Sequence, residues 1–408
     1  MAAVDAQFYW MSATVPNDDF QLYAFDGEPA DCGRAIEEVL RRARASPGLA
    51  ARVRDDSPLT YPRWVPAAVG DEQVVRHDLV DRSWLGCLAA VVAIAVDQLD
   101  MRRMAWRLHV FTPVRGIPGV DGPGTVVVMQ VPHALADGVC ASAMAAWLLG
   151  RDSPVPQVPT PRPGFFGRRV VEAGRAHRRM SRDIRAGLLV PGTGPRPPLR
   201  TNAHPDGIRA MRTLVRHRSQ LAGPTVTVAA LVAVSTALSR LLGAAAESLG
   251  AEVPMSKPGV AEARNHFGNV SVGLYPTLEP YLRAERIAAE LANGRRRFAH
   301  PAAAAADRAV AAVPAPLLRW GVSRFDPDVR PPLVGGNTVV SSVNRGAADF
   351  SFGGTPVMLT AGYPPLSPVI GLTHGVHGIG DTVAISVHAA ESAVPDVDEY
   401  VRLLDEAL

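Results

Sequence analysis

The sequence predicts an α/β chain of two lobes, built from mixed sheets flanked by helices, with a cleft between them. Three observations carry this. Strand-like stretches recur between amphipathic helical stretches along the whole length. Two Pro-rich segments, 151–166 and 191–198, separate halves of similar make-up. The 408 residues are 47% hydrophobic, enough for a sizeable core. We read 1–150 as an N-terminal lobe, 151–200 as a Pro/Arg-rich crossover linker with one basic helix, and 201–408 as a C-terminal lobe.

Taken in order, QLYAFDG (21–27) reads as a strand that ends in a glycine turn. DCGRAIEEVLRRARAS (31–46) reads as an amphipathic helix with Asp31 before its first turn. The run WLGCLAAVVAIAV (84–96) falls short of the roughly 20 apolar residues a membrane-spanning helix needs, so it reads as a buried core helix. MAWRLHVFTPV (104–114) alternates like a strand. GTVVVMQV (124–131) is a continuous β-branched run that suits a strand buried on both faces. The Arg-rich stretch 167–190 is a helix with two open readings, a solvated crossover or a basic surface that leans on an anionic membrane or lipid droplet. In the second half, 225–243 reads as a helix closed by a glycine, and AEVPMSKPG, NHFGNVSVGLYP and NTVVSSVN as strands and turns. DTVAISVHAA (381–390) follows as a strand, and 395–408 as an amphipathic helix with Asp396 near its start.

Composition excludes several classes. A formal charge of +3 and 6% aromatic residues give neither the basic field nor the stacking platforms of a nucleic-acid binder. Lys257 is the sole lysine. Cys32, Cys87 and Cys140 are odd in number and widely spaced, which fits free thiols in a reducing compartment and gives no zinc signature. The N-terminal stretch has no basic region ahead of an apolar one, so a cytoplasmic location is expected, with peripheral membrane contact at most. HGVHG (374–378) holds two histidines without a metal-ligand partner motif and reads as a Gly-rich loop. No GxSxG elbow or phosphate-binding glycine loop stands out.

The chemistry-bearing feature is VPHALADG (131–138), where a buried strand runs into a helix. Gly138 permits a sharp turn or close packing there. A histidine at such a turn can face a cleft and accept a proton near neutral pH. Asp137 either orients the imidazole or pairs with a cation and pins the loop. The spacing alone is weak evidence.

Other stretches strengthen it by their order: DAQFYWMS (5–12), LDMRRMAWRLHV (99–110), VPMS (253–256), FGNVSVGLYP (267–276), YPPLSP (363–368) and the closing 393–408. Together with the histidine motif they resemble, along most of the chain, the bacterial wax ester synthase/diacylglycerol acyltransferase (WS/DGAT) family. That family belongs to the CoA-dependent acyltransferases with the chloramphenicol-acetyltransferase-like fold and the HHxxxDG signature. DFSFGG (349–354) resembles an element that is structural in plant members of that superfamily.

The resemblance implies an active-site tunnel between two lobes and an O-acyltransferase that moves a fatty acyl group from CoA to a lipidic alcohol, in wax ester or triacylglycerol synthesis. His133 would be the general base, Asp137 would hold the loop, and Gly138 would allow the turn. Acyl-CoA would be a substrate, with no permanent cofactor and no metal. Pro132 replaces the first motif histidine, Thr227-Val228 stands where the family has Asn-Asp, Met104-Ala105-Trp106 where it has Pro-Leu-Trp, and Lys257-Pro258 where it has an arginine. Thr227, Asn269, Ser271 and Lys257 are candidate liners of the reaction centre, with Lys257 expected to pair with Asp137 across the lobes. Two other readings stay open: a specialised-metabolism acyltransferase using a carrier-protein thioester or an amine acceptor, and a catalytically degenerate homologue that binds lipid or a partner.

Overall fold

The computed structural model describes residues 1–159, 162, 164–243 and 248–408; residues 160, 161 and 163 of the Pro-rich stretch lie outside the described residues. Helix α1 (Ala3–Met11) precedes strand β1 (Asp18–Phe25). α2 (Cys32–Arg44) begins where the Asp31 carboxylate accepts from Arg34 N at 3.0 Å, satisfying a free N–H of the first turn. Strands β2 (Ala51–Arg54) and β3 (Arg63–Pro66) form a separate ribbon. Then come β4 (Val74–His77), α3 (Trp84–Ile94), β5 (Arg107–Val114), β6 (Gly124–Pro132), α4 (Gly138–Leu148) and α5 (Phe166–Arg185). The second half runs β7 (Arg209–His217), α6 (Val226–Leu242), β8 (Gly250–Ser256), β9 (Phe267–Gly273), α7 (Pro280–Ala299), α8 (Pro301–Ala311) and α9 (Ala315–Ser323). It ends with β10 (Thr338–Asn344), β11 (Ser351–Phe352), β12 (Thr355–Tyr363), β13 (Leu372–Ile379), β14 (Thr382–Ala390) and α10 (Val397–Asp405).

Two mixed six-stranded sheets result. The first has the order β11-β12-β1-β6-β5-β4 and the second β7-β14-β13-β10-β8-β9. The sheets do not divide the chain at one point, because β12 leaves the second half to pair antiparallel with β1. β6, the continuous β-branched run, is buried at every residue in the middle of the first sheet. α3 buries one face, through Trp84, Cys87, Leu88 and Val91, and leaves Leu85 exposed. It packs on β5 and β7 by that face, so its other side meets solvent. α5 has no buried residue and packs along α8. No helix among the described residues is long and apolar enough to cross a membrane.

The HGVHG stretch is a strand rather than the expected loop. It is the body of β13, in the middle of the second sheet. The first of its two glycines serves sheet contact. A Cβ on Gly375 would sit 2.1 Å from the carbonyl oxygen of Gly362 on β12, so the two sheets touch backbone to backbone there. His374 is fully buried between Thr338 Oγ1, 3.0 Å from Nδ1, and Tyr400 Oη, 2.6 Å from Nε2. Burial pushes its imidazole down to about 3, so it is a neutral structural histidine. Among the described residues, no group of three His, Cys, Asp or Glu is placed to hold a metal ion.

The glycine contacts give a test. Gly375→Ala should destabilise the fold by about 3 kcal/mol, because rigid backbone must move to admit the methyl group. Gly378→Ala, whose Cβ would meet nothing closer than 3.8 Å, should cost under about 1 kcal/mol. Denaturant midpoints of the two variants check the contrast.

Candidate active site

His133 follows the last residue of β6, and α4 begins five residues later. The intervening loop is held from both sides. On one side His133 N donates to Asn17 O at 3.3 Å. On the other, Asp137 accepts at Oδ1 from Cys140 N (2.9 Å), which caps α4, and at Oδ2 from His266 N (3.0 Å). Asp137 N donates to Arg264 O, and Arg264 Nη1 donates to Leu135 O. Asp137 therefore ties the loop to residues 264–266 of the second half and does not touch the imidazole. Of the two roles open in the sequence, it takes the pinning one, with backbone N–H groups in place of a cation.

The expected Lys257–Asp137 pair is absent. Both oxygens of Asp137 are occupied by backbone donors, and Lys257 Nζ instead lies 2.7 Å from Asp307 Oδ1 on α8. Gly138 has no positive φ. It is the first helical residue of α4, and a Cβ there would come within 3.2 Å of Val343 Cγ2, so it serves close approach to β10. Pro132 ends β6 opposite Asp18 of β1.

The imidazole is oriented by a residue absent from the sequence reading, Asn265. Asn265 Nδ2 donates to Asp5 Oδ1 (2.9 Å) and to the carbonyl of His133 (2.6 Å). With its NH₂ group committed, the amide turns its oxygen to the ring, 3.3 Å from Nδ1. A carbonyl oxygen only accepts, so Nδ1 carries the proton and Nε2 the lone pair. Asp5 is buried and also accepts from the backbone N–H groups of Arg264 and Asn265. Burial pushes its carboxyl up, and these hydrogen bonds oppose the shift. The ring stacks on Phe8, with centroids 4.9 Å apart, and lies 5.9 Å from Phe267. Its side chain keeps 18% of its surface exposed, so it is clamped but open on one side.

Nε2 faces Asp19 Oδ2 at 3.6 Å. The signal for Asp19 lay in strand alternation. Asp19, Gln21 and Tyr23 share one face of β1, and a carboxylate inside a buried strand calls for a partner.

The four candidate liners are not brought together. Thr227 Oγ1 is 2.8 Å from Ser342 Oγ, on the face of β10 opposite Val343 and hence away from Gly138. Asn269 and Ser271 share with Phe267 one face of β9. Asn269 is exposed and donates to Glu252 Oε2 at 3.0 Å. Lys257 is committed to Asp307, as described.

This geometry predicts that Asp137→Ala removes a helix cap and an interlobe tie at once. Stability should fall by about 1–3 kcal/mol, read as a lower denaturant midpoint.

Comparison with known proteins fits this arrangement. The model of the WS/DGAT C-terminal domain matches residues 264–408, the segment that begins with Arg264 and Asn265. No curated protein sequence matches the chain. Among solved structures, the chain is similar to a wax ester synthase/diacylglycerol acyltransferase from Marinobacter aquaeolei VT8. The TM-score is 0.62 at 16% identity, over 99% of this chain and 96% of that one. It is also similar to a mutant starter condensation domain of rhizomide synthetase in complex with C8-CoA and Leu-SNAC, with TM-score 0.61 at 12% identity, over 100% and 93%. The first condensation domain of the CDA synthetase gives a TM-score of 0.56 at 16% identity, over 100% and 95%. Residues 264–408 thus match the WS/DGAT C-terminal domain, and the chain has the two-lobed chloramphenicol-acetyltransferase-like fold.

Proposed function

We propose that this protein is an O-acyltransferase that moves a fatty acyl group from CoA to a lipidic alcohol, with His133 as general base. One observation carries the reading: the Asn265 amide fixes the His133 tautomer, leaving the Nε2 lone pair on a ring that keeps an open side. Nε2 accepts the proton of the acceptor hydroxyl as that oxygen attacks the thioester carbonyl. The C–O bond forms, the tetrahedral intermediate collapses with loss of the C–S bond, and the proton passes from Nε2 to the departing thiolate. The C8-CoA complex of a structural neighbour supports an acyl-CoA donor.

Helix α5 supports contact with an anionic surface. It is wholly unburied, carries Arg175, Arg178, Arg179, Arg182 and Arg185, and exposes Val170 and Val171. In this reading the surface is a membrane or lipid droplet. The likeness to condensation domains favours a second reading, with a carrier-protein thioester as donor or an amine as acceptor.

A thiol-release assay across acyl-CoA donors and alcohols tests the proposal. Release should require an alcohol and fall about 10²–10⁴-fold in His133→Ala. Release only from carrier thioesters would favour the second reading. An unchanged rate in a folded His133→Ala protein would remove the proposed base.

A further inference from the structure

We infer that Asp19 is a positioning residue for the reaction, its carboxylate facing His133 Nε2 so as to balance the charge the ring gains when it takes the acceptor proton. The catalytic consequence rests on the function proposed above; the pairing itself rests on geometry.

The distance defines the role. At 3.6 Å, Asp19 Oδ2 is beyond hydrogen-bonding range of Nε2. An ionised carboxylate has no proton to donate, so it leaves the Nε2 lone pair free to accept one from substrate. It is still near enough to act on a positive ring by Coulomb attraction, in a place where each side chain keeps under a fifth of its surface. Once Nε2 is protonated, both ring N–H groups face oxygen, Nδ1 toward Asn265 Oδ1 and Nε2 toward Asp19. Passing the proton on to the thiolate restores the neutral ring, so Asp19 needs no net proton of its own.

A second buried charge acts on Asp19. Burial holds its carboxyl above the usual carboxylate range; the charge of His133, then that of Arg345, opposes the shift, and Asp137 adds a smaller push upward. Arg345 is 5% exposed, lies over the Tyr23 ring at 4.9 Å and donates from Nη1 to Thr360 Oγ1. Among the described residues its Nε has no hydrogen-bond partner. Among the described residues, the titratable and charged groups around His133 are Asp19 and Asp18 on β1, Asp137 at the head of α4, Asp5 behind Asn265, Arg264 and His266 on either side of Asn265, and Arg345 beyond Asp19. Among the described residues, Asp19 is the one whose carboxylate faces Nε2 within 4 Å.

The experiment compares wild type with Asp19→Asn, which keeps size and removes charge, and Asp19→Glu, which restores charge. Two readouts are taken: the pH profile of kcat/KM in thiol release, and the titration of the His133 ring followed by histidine side-chain NMR, assigned with His133→Gln. Losing the carboxylate makes the ring less basic. In Asp19→Asn the acid limb and the midpoint of the ring titration should both move to lower pH by about one unit, a tenfold change in proton affinity. kcat/KM at neutral pH should fall by up to about tenfold, and Asp19→Glu should recover part of both. An unmoved ring titration in Asp19→Asn overturns the inference, even if activity drops, because a merely structural residue gives that result. If wild type releases no thiol from any donor, the proposed function fails, while the ring titration still decides the pairing.

Discussion

The constraint on which the rest depends is the backbone contact between the two sheets at Gly362 and Gly375. Neither position has room for a Cβ: one at Gly362 would strike the His377 ring at 2.7 Å, and one at Gly375 would strike Gly362 O. β12 reaches this contact by leaving the second half of the chain and completing the first sheet beside β1. The lobes are thus joined by shared strand pairing as well as by side-chain packing. That junction buries Arg345 and His377.

Within that frame the reactive ring is placed by groups far apart in sequence. Asp5 holds Asn265, Asn265 holds the His133 ring and its carbonyl, and Asp137 holds the neighbouring backbone at His266. Asp5 and Asp137 spend their hydrogen-bonding capacity on backbone N–H groups and one amide, so each fixes a piece of backbone. The same bonds choose the tautomer. A general base needs its lone pair on the accessible nitrogen, and here a residue from the second half of the chain decides that.

Of the departures from the WS/DGAT pattern, one lies at this centre. Pro132 stands in place of a histidine, and the register sets it opposite Asp18, one residue before the carboxylate that faces Nε2. Thr227, at the family's Asn-Asp position, bonds to Ser342 behind β10. The sole lysine serves the α8 surface through Asp307.

Much of this was legible before any coordinates. β6 announced itself by an unbroken β-branched run, α2 and α10 by an aspartate before an amphipathic period, and α6 by its closing glycine, because these signals are local and each residue's neighbours in sequence are its neighbours in space. His133, Asp137 and Gly138 were readable for the same reason. HGVHG was misread, since glycines that signal loops locally can equally signal a close approach by another strand, and only the partner tells the two apart. Asp5, Asn265 and Asp19 meet their partners, and Arg345 the Tyr23 ring, across more than a hundred residues of chain. The sequence by itself determined the strands, the helices and which histidine ends which strand. Which nitrogen of that histidine is free, and which carboxylate faces it, was decided only when the sheets docked, because orientation of a side chain is set by the groups that surround it in space.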